Sequence, residues 1–281
     1  MTKILRLLFA PVMLPVVLAA QAAPDAADEK AAVTSAAMDY MEGALAADAD
    51  RTARAVHPEL TKVMVGRMPQ TDRAFLRTSG KSQLLEAVRT RAAFAPEGER
   101  NVDVTVFDIG HDLASAKVVS GRFVDYLLLA KVDGAWMIVN ALWVPNAPQA
   151  VANTEADHDG VRRATLDYIE GAYSGDADRM TRALHPELTK VLPMRHPQTG
   201  NLFLVEMGAS QLIEGVRAQL GMVPEGEREI DVTIYDVDRD LAAVKVYSVR
   251  YIDHLQLAKT NGEWKIVNVL WVMNPATQQG G

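Results

Sequence analysis

The stretch WMIVNALWV, Trp136–Val144, returns 128 residues later as WKIVNVLWV, Trp264–Val272. Alternation along the second copy sets Trp264, Ile266 and Leu270 on one face and Val267, Val269 and Trp271 on the other. A strand that is apolar on both faces is covered on both. Helices of its own unit supply one cover, and the other must be a partner surface. Just upstream stand Asp133-Gly134 and Asn261-Gly262, dipeptides that tolerate the positive φ of a two-residue hairpin turn. The stretch reads as the closing strand of an antiparallel meander, present twice.

The same offset extends outward without a gap for about a hundred residues. HPELTK occurs at His57–Lys62 and again at His185–Lys190. Asp48-Ala49-Asp50-Arg51 returns as Asp176–Arg179, and PEGER at Pro96–Arg100 returns at Pro224–Arg228. Repeats of this length are whole domains, because a solenoid stacks three or more much shorter units. We read a signal peptide over 1–22, a first domain over 28–146, a linker over 147–158 and a second domain over 159–276.

Lys3 and Arg6 precede the uncharged run Leu7–Ala20, and Ala20-Gln21-Ala22 places small residues two apart. Positive start, short apolar run and small-residue cleavage site are the parts of a secretory signal. A run of ~14 residues is shorter than the ~20 needed to span a bilayer. The expectation is a secreted or periplasmic protein, free of the membrane after cleavage. The chain has no cysteine, which excludes disulfides, thiol nucleophiles and thiolate metal sites. Loss of Lys3 and Arg6 takes the formal charge from −7 to −9. So acidic a chain lacks the clustered cations that nucleic acid or an anionic bilayer requires. There is no glycine-rich phosphate loop, no Gly-x-Ser-x-Gly and no His-Glu-x-x-His, and no cofactor or metal is expected.

Each copy has the same coarse order. Val161, Ala164, Tyr168 and Ala172 recur at helical spacing, and Asp176 is an N-cap for a short second helix that Pro186 ends. A two-stranded arm follows around Met64–Arg77, then a third helix near Ser82–Ala92, then sheet beginning with the alternating Val102, Val104 and Val106. The class read from this order is α+β: two tandem domains, each of three helices packed on an antiparallel sheet, which the resemblance given next makes cone-shaped with a curved sheet.

This order resembles the nuclear transport factor two-like (SnoaL-like) superfamily. YIEG at Tyr168–Gly171, the Gly175-Asp176-Ala177 turn, HPEL at His185–Leu188 and YIDHLQLAKTNGEWKIVNVLW at Tyr251–Trp271 resemble its lumazine-binding family. The resemblance implies a cone whose concave sheet and helices enclose a pocket. Relatives in the superfamily include isomerases, dehydratases, cyclases and catalytically silent modules, so fold does not settle function.

Alternation along Arg250–Lys259 puts Asp253 on the face of Tyr251, Leu255 and Leu257, and Asp125 is its counterpart. A carboxylate among apolar side chains is an acid/base candidate, or a structural acid bonded to a nearby cation. Asn140 and Asn268 share the Trp-Ile-Leu face of the last strand and are expected to point inward. Tyr40 and Tyr168 occupy the place of the first-helix tyrosine that holds the enolate oxygen in the ketosteroid isomerase branch. The first-strand carboxylate base of that branch is absent here, where the chain reads Thr61-Lys62-Val63-Met64 and Thr189-Lys190-Val191-Leu192. His57 and His185 stand at the end of the short helix, either as cationic residues on its last carbonyls or turned into the pocket mouth. Asp157-His158-Asp159 reads as solvated linker, and His111, His196 and His254, unmatched in the other copy, read as surface residues.

The function expected from these residues is binding of a small apolar or aromatic ligand, or of a partner, with no established catalysis. The alternative is an acid/base enzyme of dehydratase, isomerase or cyclase type, using His57 with Asp125 and His185 with Asp253. The apolar outer sheet faces are expected to pack on each other as an intramolecular pseudo-dimer.

Overall fold

The structure, a computed structural model, describes residues 25–146 and 153–278. The leader and the first half of the expected linker lie outside the described residues. The first domain runs α1 (Ala26–Ala46), α2 (Ala49–Ala55), β1 (Val56–Arg67), β2 (Ala74–Ser79), α3 (Lys81–Arg89), β3 (Val102–Gly110), β4 (Leu113–Ser120), β5 (Phe123–Val132) and β6 (Ala135–Pro145). The second repeats it as α4 (Glu155–Ser174), α5 (Ala177–Ala183), β7 (Leu184–Arg195), β8 (Leu202–Gly208), α6 (Ala209–Arg217), β9 (Ile230–Asp238), β10 (Leu241–Ser248), β11 (Tyr251–Thr260) and β12 (Glu263–Met273), closed by α7 (Pro275–Gln278). Among the described residues no helix is long and apolar enough to cross a membrane.

Capping sets the helix starts. Asp48 accepts the backbone N–H of Arg51 at 2.9 Å, and Asp176 accepts those of Asp178 and Arg179 at 3.1 and 3.0 Å, satisfying donors that have no partner inside the helix. Helix α4 begins at Glu155, inside the stretch expected to be linker. Thr154 donates its N–H and its hydroxyl to Asp157 Oδ2 at 3.0 and 2.9 Å. The acidic residues expected as solvated linker thus form a first helical turn, where negative charge faces the positive helix end. Asp157 is buried and also bound by Lys259 and the Trp264 indole, which hold its carboxyl well below the usual range. The short helices end before the prolines: α2 stops at Ala55 and α5 at Ala183. Pro58 and Pro186 lie within β1 and β7, where the ladder to the neighbouring strand is interrupted and a missing N–H breaks nothing.

Each sheet has six strands, in the orders β2-β1-β6-β5-β4-β3 and β8-β7-β12-β11-β10-β9. All neighbours are antiparallel except β1 with β6 and β7 with β12, which are parallel. The hairpins before β6 and β12 turn as their sequence requires, with φ of 49° and 88° at Asp133-Gly134 and 54° and 88° at Asn261-Gly262, the type I′ pattern.

The closing strand departs from simple alternation. Leu257 pairs with Ile266 but Gln256 pairs with Asn268, so Val267 is an extra residue in β12. In β6 the register likewise skips Val139 between Ile138 and Asn140. Such a bulge reverses the inside–outside phase for the rest of the strand. Trp264, Ile266, Val269 and Trp271 face the domain's own core, whereas Val267 and Leu270 face the other domain. Leu270 on one side, and Val269 and Trp271 on the other, therefore exchange the faces that unbroken alternation assigns them.

The second cover of each closing strand is the other sheet. Val63, Val65, Val124, Tyr126, Leu142 and Val144 of the first domain cluster with Leu241, Ala243, Ala258 and Val267 of the second. Phe107 and Tyr235, equivalent positions of the two repeats, stack with ring centroids 5.6 Å apart and an interplanar angle of 1°. Polar pairs flank the stack in matched fashion. Lys117 binds Asp236 and Lys245 binds Asp108, both at 2.7 Å. His254 is a buried residue of this interface and not a surface one: it is 1% exposed, with Nε2 3.5 Å from Asp108 Oδ2. Burial lowers its pKa to about 4 against the pull of Asp108, so the imidazole is neutral at neutral pH.

Candidate functional site

Each domain encloses a cavity between its first and third helices and the concave face of its sheet. The first measures about 230 Å³ and the second about 240 Å³, somewhat below the roughly 300 Å³ at which drug-sized sites begin, room for a small ring compound. The first is walled by Met41, Ala44, Leu84, Val88, Phe123 and Trp143, the second by Ile169, Leu212, Val216, Leu220, Tyr251 and Trp271. Helical apolar stripes and strand alternation bring these residues to one space.

One polar cluster interrupts each wall. In the first domain Tyr40, from α1, donates its hydroxyl to Asp125 Oδ1 of β5 at 2.6 Å. Lys62, from β1, donates to the same oxygen at 2.7 Å and also to the Tyr40 hydroxyl. In the second domain Tyr168 and Lys190 each donate to Asp253 Oδ1 at 2.6 Å, and Lys190 also donates to the Tyr168 hydroxyl. A tryptophan face covers each ammonium: Lys62 Nζ lies 4.6 Å from the Trp143 ring centroid, and Lys190 Nζ 4.4 Å from that of Trp271, within cation–π range.

Burial governs the electrostatics. Desolvation lowers the pKa of both lysines below the usual range, while the adjacent carboxylate opposes the shift. Desolvation and the aspartate together push both tyrosines well above theirs, so the phenols remain proton donors. Among the described residues only one oxygen of each carboxylate has a partner: Asp125 Oδ2 and Asp253 Oδ2 are buried with none. An ammonium has three donors, of which the cluster uses two.

The structure brings together Tyr40 with Asp125, and Tyr168 with Asp253. It does not bring the histidines to them. His57 and His185 line neither cavity. Each accepts, through Nδ1, the backbone N–H two residues ahead, that of Glu59 or Glu187, at 3.1 Å. An imidazole nitrogen that accepts is unprotonated, and burial lowers both pKa values, so neither acts as a cationic helix end. Lysines take that part: Lys81 Nζ binds the carbonyls of Ala53 and Val56 at 2.8 Å, and Lys265 Nζ that of Arg182 at 2.6 Å.

Asn140 and Asn268 are also not in the cavities. The bulges turn them to the outer sheet face, where Asn268 donates to Gln256 Oε1 at 2.8 Å and Gln256 donates to the Tyr126 carbonyl of the other domain at 2.8 Å. The residues that sequence reasoning missed are Lys62 and Lys190. A signal was present: Lys62 is in phase with the core residue Leu60 and out of phase with Val63 and Val65, which face the other sheet. Among the described residues no group of three or more His, Asp or Glu side chains is placed to hold a metal ion.

A family model described as "Putative lumazine-binding" matches residues 28–144 and again 156–272. No curated protein matches the chain. Among solved structures, similar ones include a nuclear transport factor two-like protein of unknown function from Shewanella baltica, 22% identical, covering 44% of this chain and 99% of its own, with a TM-score of 0.38. Another such protein, from Silicibacter pomeroyi, is 18% identical over 43% of this chain and 100% of its own, with a TM-score of 0.36. A ketosteroid isomerase-like protein from Erwinia carotovora atroseptica is 18% identical over 43% of this chain and 98% of its own, with a TM-score of 0.31.

Proposed function

The chain belongs to the family of that description, twice over, and from that premise and the geometry of the cones we propose that it binds small, planar, largely apolar ligands, one in each domain. The observation that carries the reading is the polar cluster set in an otherwise apolar wall, with Asp125 Oδ2 buried and unpartnered where Asp125 lines the cavity. A buried acceptor without a partner costs roughly 1–3 kcal/mol, which a ligand N–H relieves. Lys62, bound to the other oxygen of the same carboxylate, keeps one donor unused. Acceptor and donor side by side match a ring edge that carries N–H next to C=O, as in a cyclic amide or imide. The family description, and the pteridinedione ring of lumazine, agree with that edge.

The reading favours binding over acid/base catalysis by a histidine–aspartate pair, because each aspartate is engaged by Tyr and Lys while each histidine is engaged by backbone. Titration of the full chain with lumazine, followed by quenching of Trp143 and Trp271, tests it. Saturable quenching is expected, weakened in Asp125→Leu/Lys62→Met, a double variant that leaves no unpaired charge. No quenching by lumazine, and no binding of the uncharged apolar dye N-phenyl-1-naphthylamine, would remove the basis for the reading.

We also place the mature protein outside the cytoplasm, on the strength of Lys3, Arg6, Leu7–Ala20 and Ala20-Gln21-Ala22. N-terminal sequencing of the protein from its host's secreted or periplasmic fraction is expected to start near Ala23. A full-length cytoplasmic chain would refute the placement.

A further inference from the structure

The two clusters are alike, but the residues around the cavity mouths are not. Arg77, on β2, pairs across the ladder with Met64 and lines the first cavity. It is also exposed, so it stands where the cavity meets solvent. The position 128 residues on is Val205, which pairs with Leu192 in the same register of β8 and β7 but does not line the second cavity. The remaining rim differs in the same sense. Ala92 and Ala93 line the first cavity, whereas Leu220 and Gly221 line the second, and Leu220 and Val205 are 68% and 38% exposed.

Formal charge follows directly. Lys62 and Asp125 cancel, as do Lys190 and Asp253. Among the described residues Arg77 makes no salt bridge, and its side chain's one hydrogen bond is to the Met64 sulfur at 3.8 Å. The first cone thus carries one uncompensated guanidinium at its mouth, and the second carries none. Low-dielectric walls strengthen a charge that faces an enclosed space, and a guanidinium recognises planar oxyanions through two parallel N–H donors.

Resting on the reading of both cones as ligand sites, we propose that they differ in ligand class. The first takes an apolar ring compound that carries an anionic group, a carboxylate, sulfonate or phosphate, which projects to the mouth and meets Arg77. The second takes an uncharged compound of the same size. Arg77 sets this specificity: it lines the first cavity, and no arginine lines the second.

Two dyes of one scaffold separate the cases: N-phenyl-1-naphthylamine, which is uncharged, and 1-anilinonaphthalene-8-sulfonate, its sulfonated counterpart. Both fluoresce on burial. In calorimetric and fluorescence titrations of the full chain, the neutral dye is expected at two sites and the sulfonate at one tight site. Arg77→Val weakens that site about tenfold for the sulfonate and shifts the neutral dye far less, so that the ratio of the two affinities falls. Val205→Arg creates a second sulfonate site of comparable strength, and about 0.5 M salt removes the advantage in both, since the Debye length falls to a few ångströms. Both positions are exposed, so neither variant threatens the core. If both dyes bind and neither substitution changes the sulfonate, the charge-based division is wrong while ligand binding stands. If neither dye binds, the charge-based division is wrong, and the reading of the cones as ligand sites falls with it only if lumazine also fails to quench.

Discussion

Two cones built from one duplicated sequence keep the same buried ion pair and tyrosine, yet they differ in how those groups meet the cavity. In the first, all three residues of the cluster line the space; in the second, Tyr168 and Lys190 do, and Asp253 does not. The lysine side chain is 12% exposed in the first and 6% in the second. The cluster is therefore more open to a ligand in the first cone and more structural in the second. Duplication conserves a motif's bonds more faithfully than its accessibility, because access is set by neighbours that vary freely, such as Ala92 against Leu220.

The largest expected effect tests that division. Lys190→Met leaves the Asp253 carboxylate buried without its cation and is expected to destabilise the second domain by about 3–5 kcal/mol. Lys62→Met should cost the first domain less, because the Lys62 side chain is the more exposed of the two and Asp125 lines the cavity, where water can enter once the ammonium is gone. Adding Asp253→Leu to Lys190→Met should restore most of the loss. Urea unfolding read domain by domain checks the order, and equal losses would erase the asymmetry.

The interface supplies the next comparison, since Tyr126 and His254 hold equivalent places. Tyr126 donates to Asp236 Oδ2 at 2.6 Å, whereas His254 contacts Asp108 as a neutral ring. The native pKa of His254 is about 4, and the unfolded one is about 6.5. Below about pH 6.5 the unfolded chain takes up a proton that the native state refuses. Stability is thus present above pH 6.5 and is lost as pH falls toward 4, by up to about 3 kcal/mol. His254→Tyr, which copies the other repeat, should flatten that slope when unfolding is compared at pH 7 and pH 4.5.

Smaller effects sharpen the contrast between the helix pairs. A Cβ on Gly43 would lie 2.5 Å from Thr52 Oγ1 and 2.8 Å from its backbone nitrogen, but one on Gly171 would meet nothing nearer than 3.1 Å. Gly43→Ala should cost about 1–3 kcal/mol by overpacking, and Gly171→Ala clearly less, in the same unfolding measurement. Smallest of all, Arg67→Ala removes a partly exposed bridge to Asp240, 2.8 Å long, between the domains. A loss of about 0.2–1 kcal/mol is expected, and it should shrink in high salt.

Much of the cone is legible in the amino-acid sequence. Alternation places Asp125 and Asp253 among apolar residues, and helical spacing places Tyr40 and Tyr168 on the buried stripe of the first helix. Lys62 escapes such reading because a lone strand lysine ordinarily buries its stem and leaves its charge in water. Its partners are 22 and 63 residues away, on a helix and a strand that single-segment periodicity does not relate. Asn140 and Asn268 are misplaced by alternation because a bulge leaves no trace in a strand's own pattern: Ile-Val-Asn alternates as well in one phase as in the other.

Local order and repetition are thus determined by the sequence itself. Hairpin dipeptides, helix caps and the period of apolar residues act over a few bonds, and a constant offset of 128 residues multiplies them into two domains. Only the tertiary structure decided which way the polar residues face. The phase of a bulged strand depends on the strand it pairs with, the protonation of His57 on the backbone N–H it meets, and the role of Lys62 on a carboxylate brought from another strand. Those are long-range contacts, chosen by the packing of the whole cone.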